Sequence, residues 1–153
     1  MKNILAIVFF TLVTSAALSQ SSGIFLTTQC AKGIKKHTVM ITNKQVCLAP
    51  NPLIAPTELN SITEVQTEGG KIWFDIVVSP KAVQIMAQIS TSLPSAVFAL
   101  VVDHEIFYTF PAMEMTPNRT FRFQGTSREL GAFLQMQKRL NTLIEESAPE
   151  QQP

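Results

Sequence analysis

The residues able to do chemistry in this 153-residue chain are few: two cysteines (Cys30, Cys47), two histidines (His37, His104) and two aspartates (Asp75, Asp103). Asp103 and His104 are sequence neighbours, which suggests a proton relay. In a strand, however, adjacent side chains point to opposite faces, and in a tight turn they diverge. The pair therefore reads as a turn-forming aspartate beside an exposed histidine. His37 is of a metal-ligating type, but the donors nearest to it along the chain are two sulfurs expected to be oxidised, so no metal and no cofactor are expected. A cysteine nucleophile assisted by His37 would need a free thiol and a third orienting group, and nothing local supplies one. No HExxH, GxSxG, P-loop or paired CxxC pattern occurs. The expectation is a protein that is not an enzyme.

Binding offers more candidates than catalysis. Phe107, Tyr108 and Phe110 lie close together, with Phe121 and Phe123 following. Such a cluster either lines a ligand groove or divides between a core face and cross-strand pairs. Glu105, Phe107, Tyr108 and Phe110 are taken as the candidate binding surface. Lys32, Lys35 and Lys36 form the one basic cluster, which a solvated loop explains about as well as a binding role.

The N-terminus indicates the compartment. Lys2, the apolar run Ile4 to Val13 and the small residues of Ala17-Leu18-Ser19 have the order of a cleavable bacterial secretory signal, with cleavage near Ser19. The apolar run is shorter than the ~20 residues that span a bilayer. A periplasmic or secreted protein with no stable membrane anchor is expected. Lys2 would leave with the signal, so eleven basic residues face eleven acidic ones, an overall balance that argues against nucleic acid and anionic membrane surfaces as partners. In an oxidising compartment Cys30 and Cys47 are expected to be bonded, closing a loop worth about 3 kcal/mol in the chain-entropy model.

Hydrophobic periodicity supplies the elements that must position these residues. Ile24 to Thr28, His37 to Ile41 and Val46 to Leu48 are short β-prone runs that form a disulfide-clipped strand region. Pro50, Pro52 and Pro56 then interrupt any ladder, and Thr57 to Asn60 reads as one helical turn capped by Thr57. Ile62 to Thr67 is a strand candidate, Gly69-Gly70 turns the chain, and Lys71 to Val78 alternates with Ile72, Phe74, Ile76 and Val78 on one apolar face. Ser79 and Pro80 open a helix carrying Val83, Met86 and Ile89, which ends before Pro94. Ala96 to Val102 and Glu105 to Phe110 form a hairpin, and Arg119 to Gln124 a further strand broken by Gly125. Thr126 with Glu129 forms a capping box for a helix with Leu130, Phe133, Leu134, Leu140 and Ile144 on its apolar stripe. The expected fold is α+β, a largely antiparallel sheet with two main helices packed on one face. The expected division is 1–19 signal, 20–56 disulfide-bearing strand region, 57–146 α+β domain and 147–153 disordered tail.

From about Leu53 to Leu140 the chain resembles the head part of the first periplasmic domain of SecD, a component of the bacterial protein-export machinery. The resemblance rests on Ala55-Pro56-Thr57-Glu58-Leu59, on Lys71 to Ile76 followed by Ser79-Pro80-Lys81-Ala82, and on Ser90-Thr91. It continues through Ala99 to Asp103 with Pro111, and Gly125-Thr126 with Leu130 and Leu134. Two departures stand out: His104 occupies a position usually held by glycine, and no transmembrane helices accompany the domain. Coupling to a proton gradient needs a membrane-embedded carboxylate and is not implied. What the resemblance does imply is a binding head that contacts extended or unfolded polypeptide, with Sec export components among its partners. The competing reading is a secreted inhibitor or adaptor that grips one folded partner through the Cys30–Cys47 loop; a hydrolase is the third class.

Overall fold

The computed structural model describes residues 22–112 and 120–148. Residues 1–21, 113–119 and 149–153 lie outside the described part, and with them the expected signal, its cleavage near Ser19, the start of the expected strand at Arg119 and most of the expected disordered tail. The α+β class and the antiparallel pairing stand, with the strands divided between two sheets.

The first sheet runs in the order β2-β3-β1-β7-β8, from β1 (Gly23–Thr28), β2 (His37–Thr38), β3 (Gln45–Leu48), β7 (Val97–Val102) and β8 (Glu105–Pro111). β1 lies between β3 and β7, with Ile24 opposite Leu100. The strand region before residue 56 is therefore built into the same sheet as the later hairpin. Past β2 the chain reaches β8: Val39 bridges Ile106, and the Met40 N–H donates to the Ile106 carbonyl at 2.8 Å. The sheet thus curls on itself and encloses Phe25, Val39, Ala99, Val101 and Ile106, a small satellite core.

The second sheet centres on β6 (Lys71–Val78). β9 (Thr120–Thr126) pairs along one side of it, while β4 (Leu59–Ile62) and β5 (Gln66–Glu68) share the other. The expected single strand over Ile62 to Thr67 is thus two pieces beginning earlier. At the break, Thr63 keeps the ladder closed: its N–H donates to the Asp75 carbonyl and its hydroxyl accepts from the Asp75 N–H, each at 2.9 Å. The turn before β4 is a single 3₁₀ turn at Pro56–Glu58. Pro56, with its fixed φ and missing N–H, takes the first helical position, so the cap falls to Ala55 and not to Thr57. The β5–β6 hairpin turns on Gly69 and Gly70, both at positive φ (58° and 78°), where a side chain would be strained.

Both helices cover the apolar face, where Ile72, Phe74, Ile76 and Val78 are wholly buried. In α1 (Pro80–Ser92) the Ser79 hydroxyl accepts from the Ala82 N–H, as the Ser-Pro start implied, and Ala82 and Met86 are buried. α2 (Leu130–Ser147) follows the Thr126–Glu129 capping box and buries Phe133, Met136 and Leu140. Two expectations fail here. Leu134 is 49% exposed, because it lies 100° around the helix from Phe133 and falls off the edge of the stripe that Met136 and Leu140 continue. Gly125 does not break β9; it pairs with Ile72 inside the strand. Its bare backbone admits the Phe133 ring and the Glu129 carboxylate, both of which would lie under 3 Å from a Cβ.

Candidate functional site

The Glu105 to Phe110 strand does not present its aromatics to solvent. Phe107 and Phe110 are 0% and 3% exposed, and Tyr108 is half-buried. A bulge is the cause: Val101 faces Ile106 but Leu100 faces Tyr108, leaving Phe107 as an extra residue. Simple alternation would send Phe107 to the face opposite Tyr108 and Phe110. The bulge turns all three toward the main core. Phe110 stacks edge-on to Phe123 at 5.2 Å, as Tyr108 does at 5.4 Å. The Tyr108 hydroxyl donates to the Gln124 carbonyl at 2.9 Å, and burial together with nearby Glu129 holds its pKa above the usual phenol value. Of the four candidate residues only Glu105 is fully on the surface.

Glu105 belongs to a cluster gathered by Arg139 of α2. The guanidinium lies over the Phe107 ring, 4.9 Å from its centroid, and donates to the Glu105 carboxylate, to Asp103 Oδ2 at 3.1 Å and to the Val102 carbonyl at 3.3 Å. The hydrogen bond to Glu105 raises the Arg139 pKa. Asp103 is thus partnered by an arginine from another element, and it forms the β7–β8 turn with His104, both at positive φ (50° and 67°). That is the geometry a glycine would adopt freely, so His104 keeps the turn at a strain of about 1 kcal/mol. Beside the cluster lies a groove of about 490 Å³, lined by Asp103, Gln135, Lys138, Thr142, Leu143 and Glu146 along with Arg139. A second depression, about 320 Å³, shares Asp103, Leu143 and Glu146 and extends past Ser22, Pro56 and Thr57. These residues come from four separate stretches of sequence, and no local pattern could have joined them.

The outer face of the second sheet carries a different arrangement. Arg122 makes a two-pronged ion pair with Asp75, both N–O distances 2.8 Å, and lies 5.7 Å from the centroid of the Trp73 ring. The hydrogen bonds it donates to Asp75 raise the Arg122 pKa. Trp73, Asp75 and Val77 are partly exposed on the strand that buries Ile72, Phe74, Ile76 and Val78 on its other face.

His37 lies where the first sheet curls, in β2 opposite Val46. Burial lowers the His37 pKa, and the charges of Lys35 and His104 lower it further. The unfolded chain therefore takes up a proton at His37 near pH 6.5 while the folded protein resists it, and the unfolded state gains as pH falls. Folding stability is expected to drop on going from pH 7.5 to pH 5.5, and to drop less in His37→Gln. Urea midpoints at the two pH values check this; an equal drop in both proteins would assign the effect elsewhere.

Cys30 and Cys47 are bonded, Sγ to Sγ 2.14 Å with Cα atoms 5.2 Å apart. Among the described residues no group of three or more His, Cys, Asp and Glu could hold a metal ion, and no helix is long and apolar enough to cross a membrane.

No protein-family description matches the chain, and no curated protein matches it significantly. Solved structures do. One is SecDF in a super-membrane-facing form, with a TM-score of 0.54 and 12% identity over 88% of this chain. A second, described as a membrane component SecDF that enhances protein export, gives a TM-score of 0.52 and 10% identity, again over 88%. The chain spans 20% of the length of the first and 66% of the second. At these identities the likeness concerns the fold, and on that ground the chain has a SecD-like fold over 88% of its length.

Proposed function

We propose that this protein is a non-enzymatic, extracytoplasmic domain that holds extended or unfolded polypeptide in the bacterial envelope and assists protein export. The observation that carries the reading is the SecD-like fold over 88% of the chain, one of the similar proteins being described as enhancing protein export. The bonded cysteine pair suits an oxidising compartment, and the leader-like N-terminus supplies a route to it. The groove along α2 begins at the head of the Glu105 to Phe110 strand, has both signs of charge on its rim, and is open enough for a main chain with small side chains. Contact chiefly with the client's main chain would give little sequence preference, and a rim that balances Asp103 and Glu146 against Lys138 and Arg139 would give little salt dependence.

The test is the affinity of the exported protein for one client in folded and in reduced, carboxymethylated form, across a salt series. The unfolded form should be preferred by at least about tenfold, with little change up to moderate salt. Thr142→Arg, at an exposed position lining the groove, should weaken binding about tenfold without altering the melting curve, whereas His37→Ala with His104→Ala should not. Equal affinity for both forms would end the reading. Tight binding to one folded partner, lost on changing the Cys30–Cys47 loop, would favour an adaptor.

A further inference from the structure

A formal net charge of only +1 conceals one local separation of charge. Residues 31–36 read Ala-Lys-Gly-Ile-Lys-Lys, and all six are exposed. The two ends of this loop are held by consecutive residues of one strand: Cys30 is bonded to Cys47, and His37 is the register partner of Val46. The loop is thus short, pinned at its base and projecting. At its tip Ile34 leaves 44% of its surface in water, whereas Ile24, Ile54, Ile72, Ile76 and Ile106 are buried. Gly33 beside it has nothing within 4 Å of where a Cβ would sit.

Among the described residues the lysines around the tip, Lys32, Lys35 and Lys36, form no ion pair, and the basic residues that do are Lys81, Arg122 and Arg139. The charged groups felt by His37 at the foot of the loop are Lys35 and His104, with no carboxylate among them. Glu105 and Asp103, the nearest acids in sequence to His104, are held by Arg139.

We infer that this loop docks the protein peripherally on a membrane surface rich in anionic phospholipid, with Ile34 entering the interface and Lys32, Lys35 and Lys36 contacting the headgroups. A single apolar side chain between lysines suits a bilayer interface, which accepts an isolated tip without a shaped pocket. The long lysine stems can lie along the apolar boundary while their ammonium groups reach the phosphates. Each lysine at an anionic surface strengthens attachment about fivefold, so three together give on the order of a hundredfold. A single inserted isoleucine adds to this without anchoring the protein permanently. The inference is independent of polypeptide binding: it places the domain at the membrane whether or not the groove takes a client.

The test is co-sedimentation of the exported protein, its N-terminus defined by mass spectrometry, with phosphatidylcholine vesicles containing or lacking 30% phosphatidylglycerol. No client is present, so the result does not depend on the proposed function. Binding to the anionic vesicles should exceed binding to neutral ones by at least about tenfold and fall away at 0.5 M salt. The triple variant Lys32→Glu, Lys35→Glu, Lys36→Glu, with the same N-terminus and an unchanged melting curve, should bind no better than wild type binds neutral vesicles. Ile34→Ser should retain salt-sensitive attachment but bind several-fold less. Equal binding to both vesicle types, or undiminished binding by the triple variant, would overturn the inference. So would failure on anionic vesicles combined with lysine-dependent retention on immobilised polyglutamate, which would assign the loop to an acidic protein partner.

Discussion

Replacing Phe74 by alanine is expected to lower the unfolding free energy by about 3 to 5 kcal/mol. Phe74 is wholly buried at the centre of β6, the strand that both edges of the second sheet pair with. Its ring stacks on Phe123 of β9 at 5.3 Å and meets Phe133 of α2 edge-on at 5.6 Å, so one side chain joins strand to strand and sheet to helix. Truncation removes the transfer energy of the ring and leaves a cavity that these two neighbours cannot close without giving up other contacts. Leu134→Ala is the control. On periodicity alone the two residues would rank together, but Leu134 is half in water and should change stability by no more than about 0.5 kcal/mol. Urea denaturation of the two variants separates the cases; similar losses would mean that α2 packs through a different face.

Loss of the Cys30–Cys47 bond should be the next largest change. The cysteines are 17 positions apart, and closing a loop of this size is worth about 3 kcal/mol in the unfolded-chain entropy model. For a domain of this size that corresponds to a fall in melting temperature on the order of 10 °C. Thr28 is paired with Cys47, so the bond fastens two strands just beyond the point where their ladder ends. It restrains β1 against β3 while β7 holds the other side of β1. Cys30→Ala with Cys47→Ala should therefore still fold, melting earlier and with the same cooperativity. Melting curves with and without reductant, alongside alkylation of the untreated protein followed by mass spectrometry, measure both halves of this expectation. An unchanged melting temperature after reduction, or two alkylated cysteines before it, would contradict it.

The proposed polypeptide site and the proposed membrane-docking loop make opposite demands on salt. A main chain held in the α2 groove, whose rim balances two acidic against two basic side chains, should be nearly indifferent to ionic strength, whereas the lysine loop should release its surface as salt rises. The two activities can therefore be separated in one preparation.

What the sequence by itself determined was local. The alternation of Lys71 to Val78 fixed which four residues are buried, because a pleated strand leaves only two directions for its side chains. Ser79-Pro80, Thr126 with Glu129, Gly69-Gly70 and Asp103-His104 marked helix starts and tight turns correctly, since caps and turns are settled by backbone groups within a few residues. The cysteine pairing followed from there being only two of them in an exported-looking chain. What only the tertiary structure decided was everything that needs distant segments to meet. No feature of β9 announces that it will leave β8 and pair with β6, because strand pairing is chosen by the burial of whole faces rather than by any one residue. The bulge that turns Phe107 inward emptied the candidate surface of its aromatics, and a bulge is a register event between two strands, invisible in either alone. Gly125 reads as a strand breaker until Phe133 arrives from α2 to occupy the space it leaves. The Arg139 cluster and its groove, assembled from the β7–β8 turn and α2, exist only once the helix lies across that turn, since charge and cavity at that point are properties of packing and not of composition.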